Sequence, residues 1–135
     1  MVVKTFDHFD QMRPIVEARL YTYASFRLQY PDAPVSTFKL LETPVQTSDM
    51  TSVQERWVTR YASELQNAAI IENVMRSLPD EERRLIEMRY FEYARWGYIC
   101  RKLSVSRATA YRIRDRALMV FAIEFGLLAR ARATS

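Results

Sequence analysis

The chain has 135 residues, 49% of them hydrophobic and 27% charged, which describes one core-forming domain, or a small domain with an arm, rather than a disordered chain. Two glycines and five prolines are too few for the many turns of an all-β protein, so the fold class expected is all-α. The net charge of +4 is unevenly placed: nine bases and two acids between Arg95 and Ser135 give +7 and leave −3 on the rest, the footprint of a polyanion partner or, more blandly, of a basic solvated surface.

The first ten residues, MVVKTFDHFD, reach acids at once and lack the apolar core of a signal peptide. His8 stands in a polar stretch and reads as a surface residue, not a general base. A first helix is expected from Asp10 to Tyr30. Asp10 would cap it, Pro14 would fall in its first turn, and Pro31 would end it. Its stripe of Ile15, Ala18, Tyr21 or Thr22, Ser25 or Phe26, and Gln29 is imperfect and rich in tyrosine. Residues 31–52 hold three of the five prolines and read as a connector. Residues 1–51 are therefore expected to form a helical arm with its connector.

Ser52-Val53-Gln54-Glu55 has the form of a capping box. Val53, Trp57, Tyr61, Leu65, Ala68, Ile71 or Glu72, and Met75 follow at three- and four-residue steps. The spacing predicts an unbroken helix over 52–77, a rod of about 37 Å. Its apolar face needs a cover, either the arm or a second subunit.

Residues 78–135 form the third segment. Leu78-Pro79-Asp80-Glu81-Glu82 opens a helix with proline and acids at its positive end. Leu85, Ile86, Met88 and the run Arg89-Tyr90-Phe91 supply its inward face. Gly97 signals a turn, and a short helix from about Tyr98 to Leu103 follows. Ser104-Val105-Ser106 forms a turn in which Val105 is an apolar plug, and Ser106 caps a last helix that runs to Gly126. The lone Cys100 leaves no internal disulfide partner, which points to a reducing, cytoplasmic setting. No apolar run approaches the roughly 20 residues of a membrane span. There is no phosphate loop, metal-ligand cluster or catalytic constellation, so an enzyme, a cofactor and a small-molecule ligand are not expected.

At about 100° per residue, Ala110, Ile113, Ala117 and Phe121 share one side of the last helix. Ala108, Arg112, Asp115 and Met119 lie opposite, flanked by Arg107, Tyr111 and Arg116. A helix apolar on one side and basic on the other, preceded by a short helix and a tight turn, satisfies what a helix-turn-helix needs to enter a major groove. Arg112 is the first choice for contact with a base, since its fork matches guanine. Arg107 could meet base or phosphate, Ala108 a thymine methyl or merely close backbone approach, and Tyr111 a phosphate or the neighbouring helix. Arg95, Arg101, Lys102 and Arg116 are phosphate candidates, as is Ser106 beside its capping role. Arg114 falls nearer the core and is expected to reach outward or pair with an acid. Trp57, Tyr61, Leu65, Phe121, Phe125 and Leu128 are packing candidates. The simpler reading packs the C-terminal tail on the helix around Trp57 and Tyr61; the sharper one, favoured here, is a two-fold dimer.

The segment LPDEERRLIEMRYFEYARWGYICRKLSVSRATAYRIRDRAL, Leu78 to Leu118, resembles region 4 of sigma-70-type factors. More closely it resembles phage late-transcription regulators of the RinA and ArpU type, as does the tail VFAIEFGLL. The sequence departs from that pattern at Ser104, often glycine, and at Cys100, usually alanine. Ile113 takes the core role that many sigma factors give to the position of Arg114. The resemblance implies a sigma-70 region 4-like helix-turn-helix, and a phage-encoded activator of late genes that binds double-stranded DNA and acts with host RNA polymerase in the bacterial cytoplasm. Two alternatives stand beside it: the DNA-recognition subunit of a phage packaging machine, of small terminase type, and a minimal sigma-like factor.

Overall fold

A computed structural model describes residues 2–35 and 52–128, with side chains from residue 9 onward in the first stretch. The architecture is all-α: α1 (Val2–Gln29), α2 (Ser52–Ser77), α3 (Asp80–Ile86) prolonged by a π-helical turn over Glu87–Phe91, α4 (Trp96–Leu103) and α5 (Arg107–Glu124). Among the described residues no helix is long and apolar enough to cross a membrane. The connector beyond residue 35, and Arg130 and Arg132, lie outside the described residues.

Helix α1 begins well before Asp10, and Pro14 sits inside it rather than in its first turn. An interior proline forfeits one backbone bond and costs roughly 3 kcal/mol. Burial offsets that cost, because Phe9, Val16 and Leu20 are at most 2% exposed and each such side chain contributes about 1.5–3 kcal/mol. These three residues enter one core with Ile71 and Val74 of α2, Leu85, Ile86 and Tyr90 of the α3 segment, Ile99 of α4, and Ile113, Ala117 and Phe121 of α5. The first helix, expected as an arm, is thus built into the body of the molecule. The Tyr90 hydroxyl donates to Glu17 Oε2 at 2.6 Å; burial, then that carboxylate, push its phenol well above the ordinary range.

A second, smaller core gathers Phe26, Ala33, Val35, Leu65, Ala68 and Ala69, with Tyr30, Trp57 and Tyr61 packed on it. Here the expected straight rod is broken. Tyr61 has non-helical angles (φ −126°, ψ 32°), so α2 is two helical pieces meeting at a kink. The kink seats Tyr61 against Tyr30 (ring centroids 5.0 Å) and Trp57 (5.2 Å), and its hydroxyl donates to that of Tyr30 at 2.9 Å. Val53, placed on the apolar stripe by its spacing, is 57% exposed. Between the two cores, Arg27 donates Nε and Nη2 to Glu72 Oε2 (2.9 and 2.7 Å), and Tyr23 donates its hydroxyl to the same oxygen at 2.9 Å. Arg27 Nη1 also meets the carbonyls of Pro31 and Ala33, anchoring the start of the connector.

Pro79 precedes α3, whose first turn carries Asp80, Glu81 and Glu82. The π turn that follows has no counterpart in the sequence reading. It closes with Glu92 N donating to Glu87 O at 3.0 Å and Ala94 N to Met88 O at 2.8 Å, while Tyr93 takes a left-handed φ of 57°. This tight reversal turns Tyr90 fully inward and lets α4 begin at Trp96, so Gly97 lies within a helix rather than in a turn.

Candidate nucleic-acid interface

Helices α4 and α5 are joined by Ser104, Val105 and Ser106. Ser104 N donates to Arg101 O and Val105 N to Cys100 O, the bond pair that closes a helix through one left-handed residue. That residue is Ser104, at φ 56° and ψ 47°; a side chain there costs roughly 1–2 kcal/mol that glycine would not incur. Ser106 then caps α5, its Oγ accepting from Thr109 N at 3.1 Å. The far end of α5 closes by the same pair of bonds, Gly126 N to Ile123 O and Leu127 N to Ala122 O, with Gly126 at φ 77°.

Between those caps the helix divides as its spacing predicts, except that Met119, expected outward, is partly buried against the main core. Ala110, Ile113, Ala117, Leu118, Phe121 and Ala122 show no exposure, whereas Arg107, Ala108, Arg112 and Arg116 are exposed. Tyr111 is half-buried, its ring edge-on to Trp96 at 5.0 Å and beneath the Arg114 guanidinium at 4.8 Å. It therefore packs on the neighbouring helix, one of its two expected roles. Arg114 donates to Asp115 Oδ1 at 2.8 Å, and Arg13 of α1 lies 3.8 Å from the same oxygen. The Asp115 carboxylate is thus partly neutralised by two arginines.

Arg95, Arg101 and Lys102 are exposed on α4 and at its start, Lys102 Nζ lying 5.5 Å from the Tyr98 ring centroid. Among the described residues, none of Arg95, Arg101, Lys102, Arg107, Arg112 and Arg116 has a carboxylate within ion-pair distance. Arg116 does feel Glu82 of α3: burial raises that carboxyl's pKa, while Arg116 opposes the rise. Six cations without tight partners on two adjacent helices are the electrostatic arrangement a phosphate backbone requires.

No family model, curated protein or solved structure matches the chain.

The sequence places Arg89 on the inward face of α3, yet the π turn brings it beside the start of α4. Its Nη1 donates to Ala94 O at 3.1 Å and its guanidinium lies 4.9 Å from the Trp96 ring centroid. Arg89 and Trp96, with Arg95, Arg101 and Arg107, line a cleft of about 580 Å³ between the first turns of α4 and α5. No periodicity signals that position, because the reversal depends on the π turn and on left-handed Tyr93.

Each packing candidate has contacts within the chain. Leu65 and Phe121 are fully buried, which removes them from any surface offered to a second copy. Phe125 stacks on Phe121 at 6.1 Å, with Arg19 of α1 at 4.8 Å from its ring, and Leu128 packs on the main core. Among the described residues the tail, up to Leu128, packs on the main core rather than on Trp57 and Tyr61, which belong to the smaller core.

Proposed function

We propose that the protein is a sequence-specific double-stranded DNA-binding transcriptional regulator that lays α5 in the major groove. The observation carrying this is the division of α5: its aliphatic side is wholly buried, while Arg107, Ala108 and Arg112 stand outward beside the cations of α4. Arg112 then supplies base contact, Arg107 base or phosphate contact, and Arg95, Arg101, Lys102 and Arg116 hold the backbone. Activation of phage late genes with host RNA polymerase rests on the resemblance of Leu78–Leu118 to the late-transcription regulators. As a dimer the protein would present two reading helices to two half-sites. Such a dimer would meet through a surface such as that around Val53, Arg56 and Trp57, not through the buried Phe121.

The test is selection of bound fragments from the encoding genome, with solution mass measured alongside. Recurrent fragments upstream of late genes support the proposal. Fragments at a packaging start, bound by a closed ring of many subunits, would place the protein in a packaging machine. Capture of polymerase without DNA would mark a minimal sigma-like factor. No duplex binding even at low ionic strength would end the proposal.

A further inference from the structure

The cleft between the first turns of α4 and α5 has a composition that duplex binding alone does not account for. Four guanidinium groups, from Arg89, Arg95, Arg101 and Arg107, line it beside Trp96 and Tyr98, and none of its lining residues is acidic. Two of the four are already placed. Arg89 is held by the Ala94 carbonyl and the Trp96 ring, and the Arg101 guanidinium lies over Gly97, 3.9 Å from where a Cβ would stand. Like charges lining one cleft repel one another, and an anion relieves that repulsion.

The volume of about 580 Å³ falls within the roughly 300–1,000 Å³ typical of small-molecule sites. A duplex strand carries single charges spaced by about 3.4 Å of rise, so it offers such a concavity one edge of one diester. Phosphates linked through a shared oxygen deliver several charges into the same space, and each guanidinium can bind their oxygens as a two-pronged donor.

We infer that this cleft binds a soluble oligophosphate, an anion with two or more linked phosphates such as the diphosphate or triphosphate end of a nucleotide, and that its occupancy competes with duplex for Arg107. The binding itself stands on the cleft alone; the competition rests on the proposed DNA function. By linkage, whatever factor the anion takes from duplex affinity the duplex takes from the anion's.

The experiment is calorimetric titration of the full chain with inorganic pyrophosphate at near-physiological salt, then with duplex in the presence of pyrophosphate or of sulfate at matched ionic strength. One saturable site is expected, weakened about tenfold or more by Arg101→Gln, the loss of one charge-assisted contact. Arg84→Gln, on the exposed side of α3 away from the cleft, leaves it unchanged. Pyrophosphate is expected to lower duplex affinity more than sulfate does. Heats that follow ionic strength without saturating, or equal losses in the two variants, overturn the site. Duplex binding with no saturable pyrophosphate overturns the site and keeps the DNA function; saturable pyrophosphate with no duplex binding keeps the site and removes that function.

Discussion

Salt is the most direct perturbation of the proposed interface, because the structure sets its size. Arg95, Arg101, Lys102, Arg107, Arg112 and Arg116 are exposed and without ion-pair partners among the described residues. If each neutralises one phosphate, log K against log salt has a slope of about −5, at roughly −0.9 per phosphate. Raising salt from about 50 to 200 mM should then weaken binding on the order of a thousandfold. Fluorescence anisotropy of a labelled duplex measures this. Lys102→Ala should flatten the slope by about one unit and weaken all sequences alike. Arg112→Ala should instead cost about 1–3 kcal/mol at one or two base pairs, relaxing preference there. A slope near zero, or a uniform loss across sequences for Arg112→Ala, would refute the assignment of this face.

Ser104→Gly should stabilise the protein by about 0.5–1 kcal/mol, the relief of a side chain held at positive φ less the freedom glycine adds to the unfolded chain; a rise of a few degrees in Tm checks it, and a fall would contradict the left-handed turn. Phe121→Ala should cost roughly 3–5 kcal/mol as a fully buried aromatic truncated to a cavity, read from denaturant midpoints; if Phe121 were instead an interface residue, the loss would appear as dissociation with little change in unfolding. Burial, and then the Glu72 carboxylate, push the Tyr23 pKa up to about 12 from its ordinary 10. Between those values the native state holds a proton that the unfolded chain has lost. This contribution is complete below about pH 10 and disappears as pH rises towards 12. Tyr23→Phe should therefore show a shallower alkaline decline in stability than the parent chain, measured as the difference between the two.

The parts of the fold written in local spacing were legible. Ser106 as a cap, the buried row of Ala110, Ile113, Ala117 and Phe121, and Gly126 as a stop each depend on neighbours a few residues away, so one helix suffices to read them. What escaped depends on distant partners. Pro14 survives inside α1 because Val16 and Leu20 are buried against residues some 55 to 105 positions further along. The kink at Tyr61 answers to Tyr30 and Trp57, and the π turn that swings Arg89 to the cleft has no local periodic marker. Among the candidate site residues, the exposed arginines of α5 were found by their angle on the helix. The packing of Tyr111 beneath Arg114 and against Trp96 could be recognised only once two helices were placed side by side.

The shared core of α1 and α5 also has a consequence for the newly made chain. Val16 and Leu20 leave the ribosome about a hundred residues before Phe121, which at roughly 5–20 residues per second means some 5–20 seconds before their native cover is complete. Until then the amino-terminal helix presents incompletely covered aliphatic side chains, a substrate for chaperones and a seed for aggregation. Expression of the last sixty residues alone would meet the complementary hazard, since the basic helix would keep its cover from Leu85, Ile86 and Ile99 but lose that of Val16, Leu20 and Ile71.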